Sequence, residues 1–95
     1  MLPDTLQLRA EAWQRSAEPP TRQVLSELAD GAAAFQRNPD VAIAVARLLA
    51  GNGESARARE LIASSLAHVG QPRARRALQE IAAQYSLEIE DPGDQ

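Results

Sequence analysis

The stretch that decides the fold is "LLAGNGESARARELIASSL", residues 48 to 66. An apolar run stops at Gly51-Asn52-Gly53, and a second run starts at Glu54 with small and charged residues. Glycine readily adopts the left-handed backbone that ends helices, and apolar residues recur in the second run at spacings of three and four. The stretch therefore predicts two helices joined by a tight turn, with Gly51 or Gly53 as the C-terminal cap.

Proline and glycine divide the rest of the chain into segments of the same helical character. Thr21 and Asp40 stand where N-terminal caps are expected, each just before an apolar run. No segment shows the strict alternation of a strand. The sequence therefore predicts an all-α protein of about five short antiparallel helices, at about residues 4–17, 22–37, 41–50, 54–69 and 72–86.

The third segment, "VAIAVARLLA" at residues 41 to 50, is apolar on almost every side. Arg47 is its only charged residue. A helix that is apolar all round is normally packed against several others or covered in an oligomer. We therefore expect this helix at the centre of the fold.

The length of 95 residues is that of one small domain. We predict a single helical domain over residues 1–86, followed by an acidic, flexible tail over residues 87–95. The chain has no cysteine, which excludes disulfides and cysteine-based metal sites. Because much of the apolar content is alanine, each core side chain buries little area, and we expect modest stability or a covering partner.

Charge and hydropathy narrow the class of partner and the location. The net charge is −3, and all ten basic residues are arginine. A nucleic-acid binder normally carries a basic excess, so nucleic acid is not an expected partner. The longest apolar run, residues 41–46, is far shorter than the ~20 residues of a membrane span. The N-terminus lacks the pattern of a secretory signal, and we predict a cytoplasmic protein without membrane contact.

The side chains that carry chemistry are scattered. His68 has no second histidine or carboxylate at ligand spacing, and Ser64 and Ser65 have no adjacent base. The glycines of the opening stretch are too few for a phosphate loop, and no lysine follows them. We expect no enzyme activity, no cofactor and no metal, and we interpret Trp13 and Tyr85 as core residues.

The opening stretch resembles the second helix of a tetratricopeptide repeat (TPR), with small and large residues at the spacings of that family. The positions that carry the likeness there are Gly53, Ala58, Ile62, Ser65 and Leu66. Two first helices show a related spacing, at Ala42, Val45, Ala46 and Leu49 and at Leu78, Ile81, Ala82 and Tyr85. The separation of Ala46 from Ala82 is slightly longer than the family period of about 34 residues. The resemblance covers residues 39–86, and a non-repeat helical bundle is the alternative.

The resemblance implies that the first helices of the units line a concave binding face. On this chain that implies Ile43, Arg47 and Ala50 in the third segment, and Arg76, Gln79 and Ala83 in the fifth. Such a face suits a peptide or an amphipathic helix with one apolar stripe and acidic flanks. The chain has none of the lysines with which some members of the family hold a C-terminal carboxylate, so a heat-shock co-chaperone role is not favoured.

Arg73, Arg75 and Arg76 lie together at the start of the fifth segment, where a helix dipole disfavours cations. They are explained either by an acidic partner, which adds Arg73 to the candidate site, or by pairing with Glu80 or the acidic tail. The leading hypothesis is a bacterial adaptor or chaperone-like module that binds another protein, as a monomer or in a homo- or hetero-oligomer. The alternatives are a helix-turn-helix DNA regulator and a structural subunit of a larger assembly.

Overall fold

A computed structural model describes residues 3–35 and 38–88 of the chain, with side chains from Thr5 onwards. Within these ranges it contains five helices and no strand, which confirms the all-α prediction. The helices are α1 (Pro3–Gln14), α2 (Arg22–Ala34), α3 (Pro39–Gly51), α4 (Ser55–His68) and α5 (Pro72–Gln84). From residue 89 onwards, the predicted tail lies outside the described residues.

The caps show where local sequence rules succeed and where they fail. Thr21 caps α2 as predicted, and its hydroxyl accepts a hydrogen bond from the Val24 amide at 3.2 Å. The predicted cap of α3, Asp40, is wrong. Asn38 caps this helix and accepts from the Val41 amide at 3.3 Å. Pro39 takes the first helical position, where its missing N–H costs nothing, so the cap lies one residue before it.

The largest differences from the predicted helix bounds are at the ends of α1 and α2. α1 ends at Gln14 rather than Ala17. The Arg15 amide is shared between the Glu11 and Ala12 carbonyls, and the Ser16 amide bonds to the Trp13 carbonyl three residues back, which tightens the last turn. α2 ends at Ala34, and residues 36 and 37 of the predicted helix lie outside the described residues.

α1 and α2 pack antiparallel at close range. Leu6, near the start of α1, fills the space beside Gly31, near the end of α2. A Cβ atom at Gly31 would lie 3.0 Å from the Leu6 side chain, so the glycine permits the close approach while α2 continues through it. An ion pair between Arg9 and Glu27, at 3.8 Å, joins the middles of the same two helices.

Alternate helices run in the same direction. The Arg22 guanidinium lies 3.6 Å from the Glu54 carboxylate, which brings the N-terminal ends of α2 and α4 together. A Cβ atom at Gly51 would lie 3.4 Å from the Tyr85 hydroxyl, so the C-terminal ends of α3 and α5 also meet. With short connections between neighbouring helices, the direction alternates along the chain, and α1, α3 and α5 are parallel.

The five helices form two rows. α3 contacts the four other helices, with α1 on one side and α5 on the other, and α2 and α4 contact each other in the second row. Among the described residues, every contact between helices joins elements that are one or two apart in the chain, and α1 does not contact α5. The thinnest dimension, 19 Å, is that of two helix layers.

The core is centred on α3, as its composition predicted. Leu49 and Val45 are fully buried, and the apolar cluster to which they belong includes residues from all five helices. The buried residues of α3 are Val41, Ala42, Ala44, Val45, Ala46, Leu48, Leu49 and Ala50. Only a narrow stripe of this helix is left for other contacts.

A constant shift in residue number relates the α2–α3 pair to the α4–α5 pair. The shift that takes Pro39, at the start of α3, to Pro72, at the start of α5, also takes Arg22 to Ser55, where α2 and α4 begin. The buried positions follow the same shift, in the pairs Leu25/Ala58, Leu28/Leu61, Ala32/Ser65, Val41/Ala74, Val45/Leu78, Leu48/Ile81 and Leu49/Ala82. We call the shift from Pro39 to Pro72 the helix-pair shift. It is shorter than the separation of Ala46 from Ala82 that the sequence comparison used.

The turn of the opening stretch closes α3 in a Schellman motif. Gly53 has a φ of +81° and is the left-handed residue. The Glu54 amide donates to the Leu49 carbonyl at 3.0 Å, and the Gly53 amide donates to the Ala50 carbonyl at 3.4 Å. Asn52 adds a bond from its side-chain amide to the Leu48 carbonyl at 2.8 Å. Of the two candidate glycines, Gly53 is the one that the turn requires.

We predict that Gly53→Ala lowers the free energy of unfolding by about 1–2 kcal/mol, the usual cost of an L-residue in the left-handed region. Gly51 lies in the helix, so Gly51→Ala is the matched control and should leave stability unchanged or raise it by less than ~1 kcal/mol. Urea unfolding followed by circular dichroism at 222 nm measures both. Equal effects at the two glycines would show that the turn is not formed as described.

A second prediction concerns Ser65, which is fully buried and whose hydroxyl has no hydrogen-bond partner among the described residues. Removing an unsatisfied buried hydroxyl relieves its desolvation cost, so Ser65→Ala should stabilise the protein by about 1 kcal/mol. Ser64→Ala, at a half-buried neighbour, gains only the small helix preference of alanine and serves as the control. Thermal unfolding distinguishes the two, and a lower midpoint for Ser65→Ala would refute the prediction.

Candidate functional site

The exposed stripe of α3 consists of residues that face away from the second row. Asp40 and Arg47 are exposed and Ile43 is half-buried, whereas every other residue from Val41 to Ala50 is buried. The spacings of three and four place these side chains on one side of the helix. The stripe thus carries an acid at one end, an isoleucine in the middle and a base at the other end.

α1 and α3 enclose a groove along this stripe. From α3, the groove is lined by Asp40, Ile43, Ala44 and Arg47; from α1, it is lined by Gln7, Glu11, Gln14 and Arg15. Its volume is about 310 Å³. Because the two helices are parallel, residues early in each lie at one end of the groove and residues late in each lie at the other.

The charges in the groove are ordered by this parallel arrangement. Asp40 makes one end acidic, Arg15 and Arg47 make the other end basic, and Glu11 lies between the two ends, one helical turn before Arg15. In the part of the chain that the structure describes, no ion pair joins any of these four side chains to another residue. Within the described residues these charges are therefore not neutralised by a neighbour, and the apolar surface of Ile43 lies between the two ends of the groove.

The structure brings only some of the predicted site residues together. Ile43 and Arg47 share the α1/α3 groove, and Ala50 does not belong with them. Ala50 is only 7% exposed and is part of the core, because α3 has neighbours on three sides and this position faces one of them. Ala50 therefore has to be removed from the candidate binding surface.

The predicted residues of α5 divide between two sides of that helix. Arg73 and Arg76 are exposed and correspond, by the helix-pair shift, to Asp40 and Ile43 of α3. They continue the outer face of the first row. Gln79 and Ala83 are also exposed, at positions that correspond to the buried Ala46 and Ala50. These two lie on the side of α5 that no helix in the described part of the chain covers.

Arg75 has a structural role that the sequence did not assign. Its guanidinium donates to the Leu66 carbonyl at 2.6 Å and to the Val69 carbonyl at 3.0 Å. These carbonyls end α4, where a helix dipole favours a positive charge. The arginine cluster therefore splits, since Arg75 holds the α4–α5 corner while Arg73 and Arg76 extend into solvent. Because Arg75 is held against the end of α4, it would not be available to contact DNA.

Two further depressions are present in the described residues. One lies between α2 and α4, has a volume of about 390 Å³, and includes Asp30, Arg57 and Glu60 in its lining. The other is a wide depression of about 900 Å³ that is lined by residues that include Phe35, Asp40 and His68. Within the described ranges, no three His, Asp or Glu side chains are grouped so that they could hold a metal ion.

Searches of protein-family models, curated proteins and solved structures found no match to this chain. Among the described helices, none combines the length and the apolar character that crossing a membrane requires. What can be inferred about function therefore depends on the geometry of the surface itself.

Proposed function

We propose that this protein is an interaction module that binds a segment of another protein on the outer face of α1, α3 and α5. The observation that carries the proposal is the stripe of α3. The otherwise buried α3 exposes one isoleucine between Asp40 and Arg47, which form no ion pair within the described residues, at the edge of a groove. Apolar surface flanked by a few oriented polar groups is typical of peptide and helix binding sites.

A TPR-like array is the architecture that we propose for this face. Its support is the restriction of helix contacts to neighbours one or two apart in the chain, together with the helix-pair shift. Helical repeats stack in this manner, and the shift from Pro39 to Pro72 is close to the TPR period of about 34 residues. In such arrays, alternate helices form a continuous surface, which agrees with the row of α1, α3 and α5 described above.

The proposed biological role is that of a small cytoplasmic bacterial adaptor or chaperone for a partner protein. An adaptor of this kind needs no catalytic group, since the partner segment is held by burial and by charge. The exposed guanidinium groups of Arg47, Arg73 and Arg76 on one face favour a partner with acidic residues beside its apolar ones.

The test uses two variants with the same change of charge. The tagged protein, expressed in its own host, is purified as the wild type, as Arg47→Glu and as Arg59→Glu. Arg59 is exposed on α4, in the second row, so it is matched in charge and exposure but lies away from the proposed face. We expect a specific partner to co-purify with the wild type and Arg59→Glu, and to be reduced at least tenfold with Arg47→Glu.

Thermal unfolding of the three proteins controls for folding, and surface changes of this kind should alter stability by no more than ~0.5 kcal/mol. If both variants lose the partner equally, or if Arg59→Glu alone loses it, the proposed face is wrong. A partner that stays bound to both variants contradicts the proposal in the same way.

A further inference from the structure

From the order of charges in the α1/α3 groove, we infer that the groove binds an amphipathic helix in one direction only, antiparallel to α1 and α3, with an acidic first turn and a basic last turn. This inference rests on the proposed function and adds the direction and charge pattern of the bound segment. It starts from the two ends of the groove, acidic at Asp40 and basic at Arg15 and Arg47, which form no ion pair within the described residues.

The spacing of the charges matches two turns of a helix. Asp40 and Arg47 are separated by about 10 Å along the axis of α3, given the rise per residue of a helix. Ile43 and Ala44 lie midway between them and form the apolar part of the groove. A bound helix would therefore place a small apolar residue over Ile43, with one charged residue about a turn away on each side.

Helix electrostatics then determine the direction. In a bound helix that is antiparallel to α3, the first turn lies at Arg15 and Arg47, and the last turn lies at Asp40. Acidic residues stabilise the first turn of any helix and basic residues stabilise its last turn. An acidic first turn and a basic last turn therefore both complement the groove and stabilise the bound helix itself. In the parallel direction, the same helix would place acid against acid and base against base.

Gln7 and Gln14 lie at the two ends of the α1 side, where they can donate to or accept from polar groups of the bound helix without selecting its charge. Arg73 and Arg76 lie outside the groove on α5, at positions that correspond to Asp40 and Ile43, so they are not part of its basic end. Neither pair alters the order of charges between Asp40 and Arg47.

The test measures the binding of two synthetic peptides with identical composition. Both carry leucine and alanine on one side, and both contain a lactam staple, because isolated helices of about 12 residues are marginal in water. One has two glutamates in the first turn and two arginines in the last, and the other has these positions exchanged. Circular dichroism verifies that both are helical. Isothermal titration calorimetry at low salt should show binding of the first peptide about tenfold tighter than binding of the second.

The variant Asp40→Arg with Arg47→Glu should abolish or reverse this preference, because the charges of α3 at the two ends of the groove are then exchanged while Arg15 keeps its place. The variant Arg57→Glu with Glu60→Arg exchanges a base and an acid on α4 and should leave the preference unchanged. Raising the salt concentration to about 0.5 M should reduce the tenfold ratio, since exposed charges are screened.

Equal affinity for the two peptides, the reverse preference, or no saturable binding up to about 1 mM would overturn the inference. A preference that survives Asp40→Arg with Arg47→Glu would also overturn it, because the selecting charges would then lie elsewhere. Self-association that Arg47→Glu disrupts would overturn it as well, since a second copy would then be the occupant. If binding of a partner protein depends on Arg47 but the two peptides bind equally, the inferred direction of the bound helix is wrong while the proposed function stands.

Discussion

Replacing Leu49 with alanine should lower the free energy of unfolding by about 2–5 kcal/mol, the range observed when a large apolar side chain is truncated in a core. Leu49 is fully buried in α3, the helix that contacts all four others. A 95-residue protein has a total stability of ~5–14 kcal/mol, so the variant should lose a large fraction of it. Urea unfolding followed by circular dichroism measures the loss.

Leu8 provides a matched control for Leu49, because the chemical change to alanine is the same. Leu8 is 63% exposed on α1, so Leu8→Ala should change the free energy of unfolding by no more than ~0.5 kcal/mol. If the two variants were equally stable, α3 would not be the centre of the core.

The second large effect is expected at Arg75. Arg75→Ala removes a charged donor from the Leu66 and Val69 carbonyls and should cost about 1.5–3 kcal/mol, the usual range for hydrogen bonds to a charged group. Arg75→Lys keeps the charge but cannot match the planar guanidinium, so its loss should be smaller. The same urea titration measures both variants.

Arg76→Ala is the control for Arg75, since Arg76 is exposed one position further along α5. Its effect on stability should stay within ~0.5 kcal/mol. A loss at Arg76 as large as that at Arg75 would mean that the cluster stabilises the fold as a whole, and the division between a structural and a surface arginine would be wrong.

The parts of the fold that sequence predicted well depend on local or bulk properties. The glycine turn, the cap at Thr21 and the central position of α3 follow from backbone preference, side-chain reach and composition. The cap of α3 was assigned wrongly because Asp40 and Asn38 are both good capping residues, and the choice between them depends on how Pro39 enters the helix.

The candidate site could be predicted only in part. Which residues of an apolar helix are exposed depends on the helices that pack around it, and the sequence does not give that packing. Nothing in the sequence separates Ala50, which is buried, from Ile43, which is half-buried, until the neighbours of α3 are known. Arg73 and Arg75 look alike in the sequence for the same reason. Whether an arginine reaches the carbonyls of α4 depends on the corner between α4 and α5.

The α1 side of the groove was missed entirely, because no local sequence pattern indicates that α1 packs against α3.

Site-specific photo-cross-linking in living cells tests the proposed binding face most directly. A benzophenone amino acid replaces either Gln14, which lines the α1/α3 groove, or Arg59, which is exposed on α4 in the second row. The proposed face on α1, α3 and α5 predicts an adduct of one defined mass from position 14 and none from position 59. Adducts from position 59 alone, or equally from both positions, would contradict it.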